Sequence, residues 1–268
     1  MALKAQALFD QVDSVFLLNR IPHLAGCPIH NVCKPFAAAW RSGRIAIVHN
    51  RIPTIILWFL GMCLIVGYFQ WPLMEHGLNW IGGVKSRFGF IFSFLSTALF
   101  GGLLPAIIPG LIGRREPEPS ARNIISATLF WGLKGLEIDL FYRLQAWTFG
   151  DTSAWQTIIC KTMVDQFIYV PLLGVVNIVL FYLWRDNHFS IRKTWQALGR
   201  NWYQKRVLPL LISNWVVWIP AVAIIYALPL PLQLPIQNLV LCFWVLILVF
   251  FTKVEGDDAQ SAVVLPME

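Results

Sequence analysis

From Val207 to Thr252 the chain carries no Asp, Glu, Lys or Arg. A hydrocarbon layer about 30 Å thick is crossed by roughly 20 apolar residues in a helix. The run is long enough for two crossings, and Leu228-Pro229-Leu230-Pro231 supplies the break between them. The chemistry of such a chain must be argued with lipid as the solvent.

Four more segments read as spans. Pro53–Trp71 and Phe88–Gly113 are uncharged, whereas Asn123–Phe149 and Ile158–Trp184 are apolar but hold charges. The expectation is an all-α, polytopic membrane helix bundle of about six transmembrane helices. Composition agrees, since 13% of residues are charged, about half the share in a soluble domain. With Asp10 and Asp13 and no apolar core, the opening residues do not read as a secretory leader.

Basic residues set the orientation. With six spans, Lys85 and Arg87 fall on one side, and Lys134, Arg143 and Lys161 lie within spans. The other sixteen of the 21 Lys and Arg fall on the opposite side. This asymmetry predicts an N-in, C-in topology and explains the net charge of +7. Basic residues that flank spans do not form the compact patch of a nucleic-acid binder, so no nucleic-acid partner is expected. The loop Asp186–Arg206 reads as a basic amphipathic helix. Ile191, Trp195, Leu198 and Trp202 share one face, while Arg192, Lys193, Arg200 and Lys205 lie on others. Such a helix lies at the headgroups, either as a lipid-sensing or gating element or as a plain connector.

Charge inside a span is unfavourable in lipid and normally faces protein or water. In the fourth span Lys161 and Asp165 are one turn apart and can pair. Tyr169 continues their face, and Thr162, Gln166 and Asn177 lie beside it. Pro171 removes a backbone donor and should kink the helix. In the third span Lys134 lies near Glu137 and Asp139 near Arg143. The two pairs point to nearly opposite faces, and Arg143 can snorkel toward the surface. These groups either line a hydrated conduit or bond the bundle together internally. Gly101, Gly102, Gly132 and Gly135 suit close helix approach, and Pro105 and Pro109 should bend the end of the second span.

Lys161-Thr-Met-Val-Asp165-Gln166, with Pro171 six residues after Asp165, resembles the K-x-x-x-D-Q-x-x-x-x-P signature of the Mpv-seventeen / peroxisomal-membrane-protein-twenty-two family. Gly132, Gly135 and Phe141-Tyr142 are similar to the helix that precedes it. Asn214-Trp215-Val-Val-Trp218-Ile-Pro220 is similar to the family's N-W-x-V-W-P, and Trp244 stands at the Trp of its last helix. The likeness covers roughly residues 88–252. Ile219 is an insertion relative to the pattern, Gln233 replaces an Arg, and Val222 to Ala227 replace polar positions. These departures fit a divergent, bacterial member. The resemblance implies a protein of the bacterial cytoplasmic membrane, otherwise of the mitochondrial inner or peroxisomal membrane, with proposed channel activity for small solutes. It divides the chain into an N-terminal cytosolic or interfacial region (1–52), an extra span and loop (53–87), a family-like bundle (88–252) and a short acidic tail (253–268).

His23, Cys27, His30 and Cys33 offer two imidazoles and two thiolates, a donor set suited to zinc. Their compressed spacing equally fits a juxtamembrane turn built on Pro22 and Pro28, and no other cofactor is expected. A Cys27–Cys33 disulfide is not expected on a cytosolic face. Cys63, Cys160 and Cys242 read as small apolar fillers. No G-x-S-x-G, P-loop, dinucleotide fingerprint or H-E-x-x-H occurs, so an enzyme is not expected.

Three functions follow. The first is a passive channel for ions or small polar metabolites, with Lys161, Asp165, Gln166 and Asn214 as lining residues. Lys134, Glu137, Asp139, Tyr169 and Asn177 are secondary candidates. The second is a non-transporting scaffold or stress-related factor. The third is an intramembrane enzyme acting on lipid, which needs Glu137, Asp139 or His residues around one cavity. The partners expected are the lipid bilayer and small solutes or ions; self-association stays open.

Overall fold

The computed structural model describes residues 51–111 and 120–243. Among them there is helix and no strand. Helix α1 is Arg51–Gln70. Trp71 is extended, and Pro72 opens α2, Pro72–Thr97. A proline suits a first helical position, where its missing N–H costs nothing. A π-helical turn, Ala98–Leu103, carries α2 into α3, Leu104–Leu111. Helix α4 is Ala121–Phe149, started by the Ser120 side chain and ended by Gly150 at φ 85°. Helix α5, Trp155–Val164, runs through a π-helical stretch, Asp165–Gly174, into α6, Val175–Asp186. Then come α7, Ile191–Leu198, and a π-helical turn, Tyr203–Val207, that leads into α8, Leu208–Tyr226. Helix α9 is Leu230–Phe243.

Pro72–Ile108, Trp155–Asp186 and Tyr203–Tyr226 are long and apolar enough to cross a membrane, and Thr54–Gln70 and Leu230–Phe243 are shorter apolar helices. Helix α4 completes the set. Its outward residues Leu129, Leu133, Leu140, Leu144 and Trp147 are exposed, whereas Lys134, Asp139, Tyr142 and Gln145 are buried. A helix that is apolar outside and polar inside suits a hydrocarbon solvent. The chain is an all-α integral membrane protein.

One expectation changes. Residues 72–87 are not a loop before the second span: helix begins at Pro72 and is continuous through Arg87. Lys85, counted as a loop charge, is buried on α2. Its segment is half polar, which hid the helix from a reading by apolar length.

Contacts divide the described residues into two compact units, a smaller one built on residues 163–219 and a larger one built on residues 52–111, 120–162 and 220–243. In the larger unit small residues bring α2 and its π-turn onto α4. A methyl on Gly102 would lie 2.6 Å from Thr128 Cα, and one on Gly132 2.6 Å from the Phe94 ring. One on Gly135 would collide with the Ser93 carbonyl oxygen. At Gly102 and Gly135 packing is thus against backbone, and at Gly132 against an aromatic ring, as lipid offers no hydrophobic drive between helices. In the smaller unit Val170, Val175, Val179, Val207 and Leu211 form the core, with Tyr169, Trp202, Tyr203 and Trp215 against it. Helix α7 forms over part of the expected segment, with Ile191 and Trp195 exposed together; it stops before Gly199, and Trp202, expected on the same face, packs on the core instead. This side-by-side apolar pair is what an interfacial helix buries among lipid chains.

Candidate functional site

In the larger unit the polar face of α4 runs from Asp139 through Tyr142 to Gln145. Asp139 is 2% exposed. Its carboxylate accepts from Lys85 Nζ at 2.7 and 2.8 Å, from Ser93 Oγ at 2.7 Å and from Arg143 Nε at 3.2 Å. Lys85 and Ser93 are eight residues apart, about 12 Å along a straight helix. Both reach one carboxylate because α2 breaks between them at Gly89, whose φ of 53° and ψ of −124° need a residue without Cβ. Lys134 pairs with Glu137 at 2.7 Å, so both ion pairs read from the third span are formed. Asn238 bridges from α9, receiving from Thr97 Oγ1 at 3.1 Å and donating to Ser96 Oγ at 2.9 Å. Tyr142 OH donates to Gln237 Oε1 at 2.7 Å.

The row ends at Lys161. Gln145 Nε2 donates to the Tyr226 hydroxyl at 2.9 Å and to the Lys161 carbonyl at 3.0 Å. The Lys161 ammonium lies 5.6 Å from the Tyr226 ring centroid and 3.8 Å from Asp151 Oδ1. Lys161 is 0% exposed, while the Asp151 side chain is 41% exposed. Asp151 Oδ2 also accepts from Leu230 N at 3.3 Å, so its charge sits at the start of α9, where a helix favours an anion. Among the described residues, Lys161 Nζ, Gln145 Oε1 and Thr162 Oγ1 have no hydrogen-bond partner. A buried ammonium so poorly engaged costs several kcal/mol in a dry interior.

The pairing expected between Lys161 and Asp165 is corrected. Each finds its own partner: Lys161 faces Asp151, and Asp165 Oδ1 accepts from Gln166 Nε2 at 2.8 Å. The cause is tertiary, since the turn after α4 brings Asp151 back to α5.

In the smaller unit Asp165, Gln166 and Asn214 come together. Asn214 Nδ2 reaches Gln166 Oε1 at 3.5 Å. Trp215 Nε1 donates to the Gln166 carbonyl at 2.7 Å, and its ring lies 5.2 Å from that of Phe167. Pro171 explains this contact. In a π-helix the carbonyl of residue i accepts from residue i+5, and for Gln166 that residue is Pro171, which has no N–H. The indole supplies the absent donor. Tyr203 OH donates to the Pro171 carbonyl at 3.0 Å. The Pro171 kink is therefore a π-helical stretch held from the side.

Tyr169 and Asn177 are half-buried, and Tyr169 packs on the valine-rich core. Glu137 and Asp139 are engaged by separate cations. His23, Cys27, His30 and Cys33 lie outside the described residues. Among the described residues no cluster of His, Cys, Asp and Glu could hold a metal ion. Cys63 and Cys160, expected as small apolar fillers, are exposed on the helix exteriors, and Cys242 is half-buried. In lipid an exposed thiol needs no core to be satisfied. Lys85, Ser93, Gln145, Asp151, Tyr226, Gln237 and Asn238 were not singled out from sequence. A Gln or Asn in an uncharged run was the available signal.

No family model matches the chain, and no solved structure matches it. A stretch of 75 residues is 36% identical to a protein of Thermosynechococcus vestitus named undecaprenyl-diphosphatase. The likeness is local. It covers 28% of this chain, which spans 26% of that curated relative.

Proposed function

We propose that the protein is a passive membrane conduit for small polar or charged solutes, entered beside Asp151 and constricted at Lys161. One observation carries the reading: an ammonium with no exposed surface and no hydrogen bond, 3.8 Å from a half-exposed carboxylate. Water or a passing solute at that point removes the cost of the bare charge. The row Gln145, Tyr142, Asp139 extends polar groups inward along α4. The resemblance to the Mpv-seventeen / peroxisomal-membrane-protein-twenty-two family supports the same reading, and the Thermosynechococcus relative supports a bacterial membrane. Asp165, Gln166 and Asn214, first placed in the pathway, support structure better: their polar atoms are spent on one another beside the Pro171 stretch.

Protein reconstituted in planar bilayers should conduct. Lys161→Met, which removes the cation at the constriction, should move the reversal potential toward cation selectivity. Bilayers that stay silent with helical, folded protein contradict the conduit. A conductance whose reversal potential ignores Lys161→Met contradicts the placing of its constriction.

A lipid-acting enzyme is the alternative that the relative's name would bring. The separate engagement of Glu137 and Asp139 supports a non-catalytic reading instead.

A further inference from the structure

The Asp139 cluster is unbalanced, and the imbalance points outward. Two cations, Lys85 and Arg143, share one carboxylate. Lys85 takes both carboxylate oxygens at 2.7 and 2.8 Å and Ser93 takes a third short bond. Arg143 is left with one longer contact, through Nε at 3.2 Å. Its two terminal NH2 groups have no hydrogen bond among the described residues. The guanidinium lies 5.0 Å from the Phe90 ring centroid, and the side chain is 44% exposed. It stands on the outer face of α4, among the exposed Leu140, Leu144 and Trp147. Six residues separate Arg143 from the end of α4 at Phe149, about 9 Å of helix. With Trp147, 84% exposed, one turn beyond, this is the depth of the headgroups, where Trp concentrates.

We propose that Arg143 is the centre of a phospholipid site on the lipid-facing surface of α2 and α4, selective for a lipid of net negative charge. The free edge of the guanidinium matches a phosphate in bidentate geometry. Nε stays on Asp139 and Phe90 holds the plane. The bound anion balances the surplus cation of the cluster. The site is independent of whether the protein conducts.

Native mass spectrometry on protein released from phosphatidylcholine nanodiscs, with and without phosphatidylglycerol, tests it. Wild type should retain one phosphatidylglycerol more than Arg143→Gln. Arg192→Gln/Lys193→Gln, which alters the basic face of α7, should retain as many as wild type. Should Arg143→Gln not fold, Arg143→Lys carries the test, because it keeps the charge and loses the fork. It should then lower the retained fraction at least twofold. Equal retention in wild type and the Arg143 variant, loss confined to the α7 variant, or no preference for phosphatidylglycerol over phosphatidylcholine overturns the proposal.

Discussion

Asp139 is a buried carboxylate that holds two cations in place. Lys85, Ser93 and Arg143 all converge on it. Removing its charge strands a buried ammonium, and breaking a buried pair from one side costs about 3–5 kcal/mol. Asp139→Asn should therefore lower stability by that amount in reversible unfolding in detergent. A change under about 1 kcal/mol would show that water already solvates Lys85. Lys161 is the opposite case. Its one ion-pair partner, Asp151, is half-exposed, 3.8 Å away and makes no hydrogen bond to it, so its account rests on solvent reaching it.

At the scale of elements, Pro171 and Trp215 form a single device across two helices. The loss of a hydrogen bond to a buried carbonyl costs about 1–3 kcal/mol. Trp215→Phe should cost that much in the native background. In Pro171→Ala the chain regains an N–H at the position that a π-helix uses, and Trp215→Phe should cost clearly less. A double-mutant cycle measures this coupling; additive effects would contradict the explanation. These elements also mark what could be read from the residues alone. Uncharged runs with Pro and Gly at their ends located most helices, and three- and four-residue spacing found both ion pairs within α4. Small residues announced the α2–α4 contact. What stayed hidden depends on contacts distant in the chain. Lys85 meets a carboxylate 54 residues away, and Asp151 meets Lys161 across a turn. Sequence marks Gln166 and Asn214 as polar within lipid but does not show that they bond to each other.

For the whole molecule, the polar-inside, apolar-outside order of α4 fits both a conduit and internal bonding. The unsatisfied atoms around Lys161 favour the conduit. A non-catalytic protein should release phosphate from undecaprenyl diphosphate in detergent at the uncatalysed rate; sustained turnover abolished by Asp139→Asn would replace the conduit with an enzyme. The central claim is that water reaches position 161. The direct measurement is the reaction rate of a water-soluble, membrane-impermeant thiol reagent with Lys161→Cys, in a background free of other cysteines, in sealed proteoliposomes. The account predicts modification in the folded protein, slowed when a large residue replaces Asp151 at the entrance. A position 161 that reacts only after unfolding contradicts it.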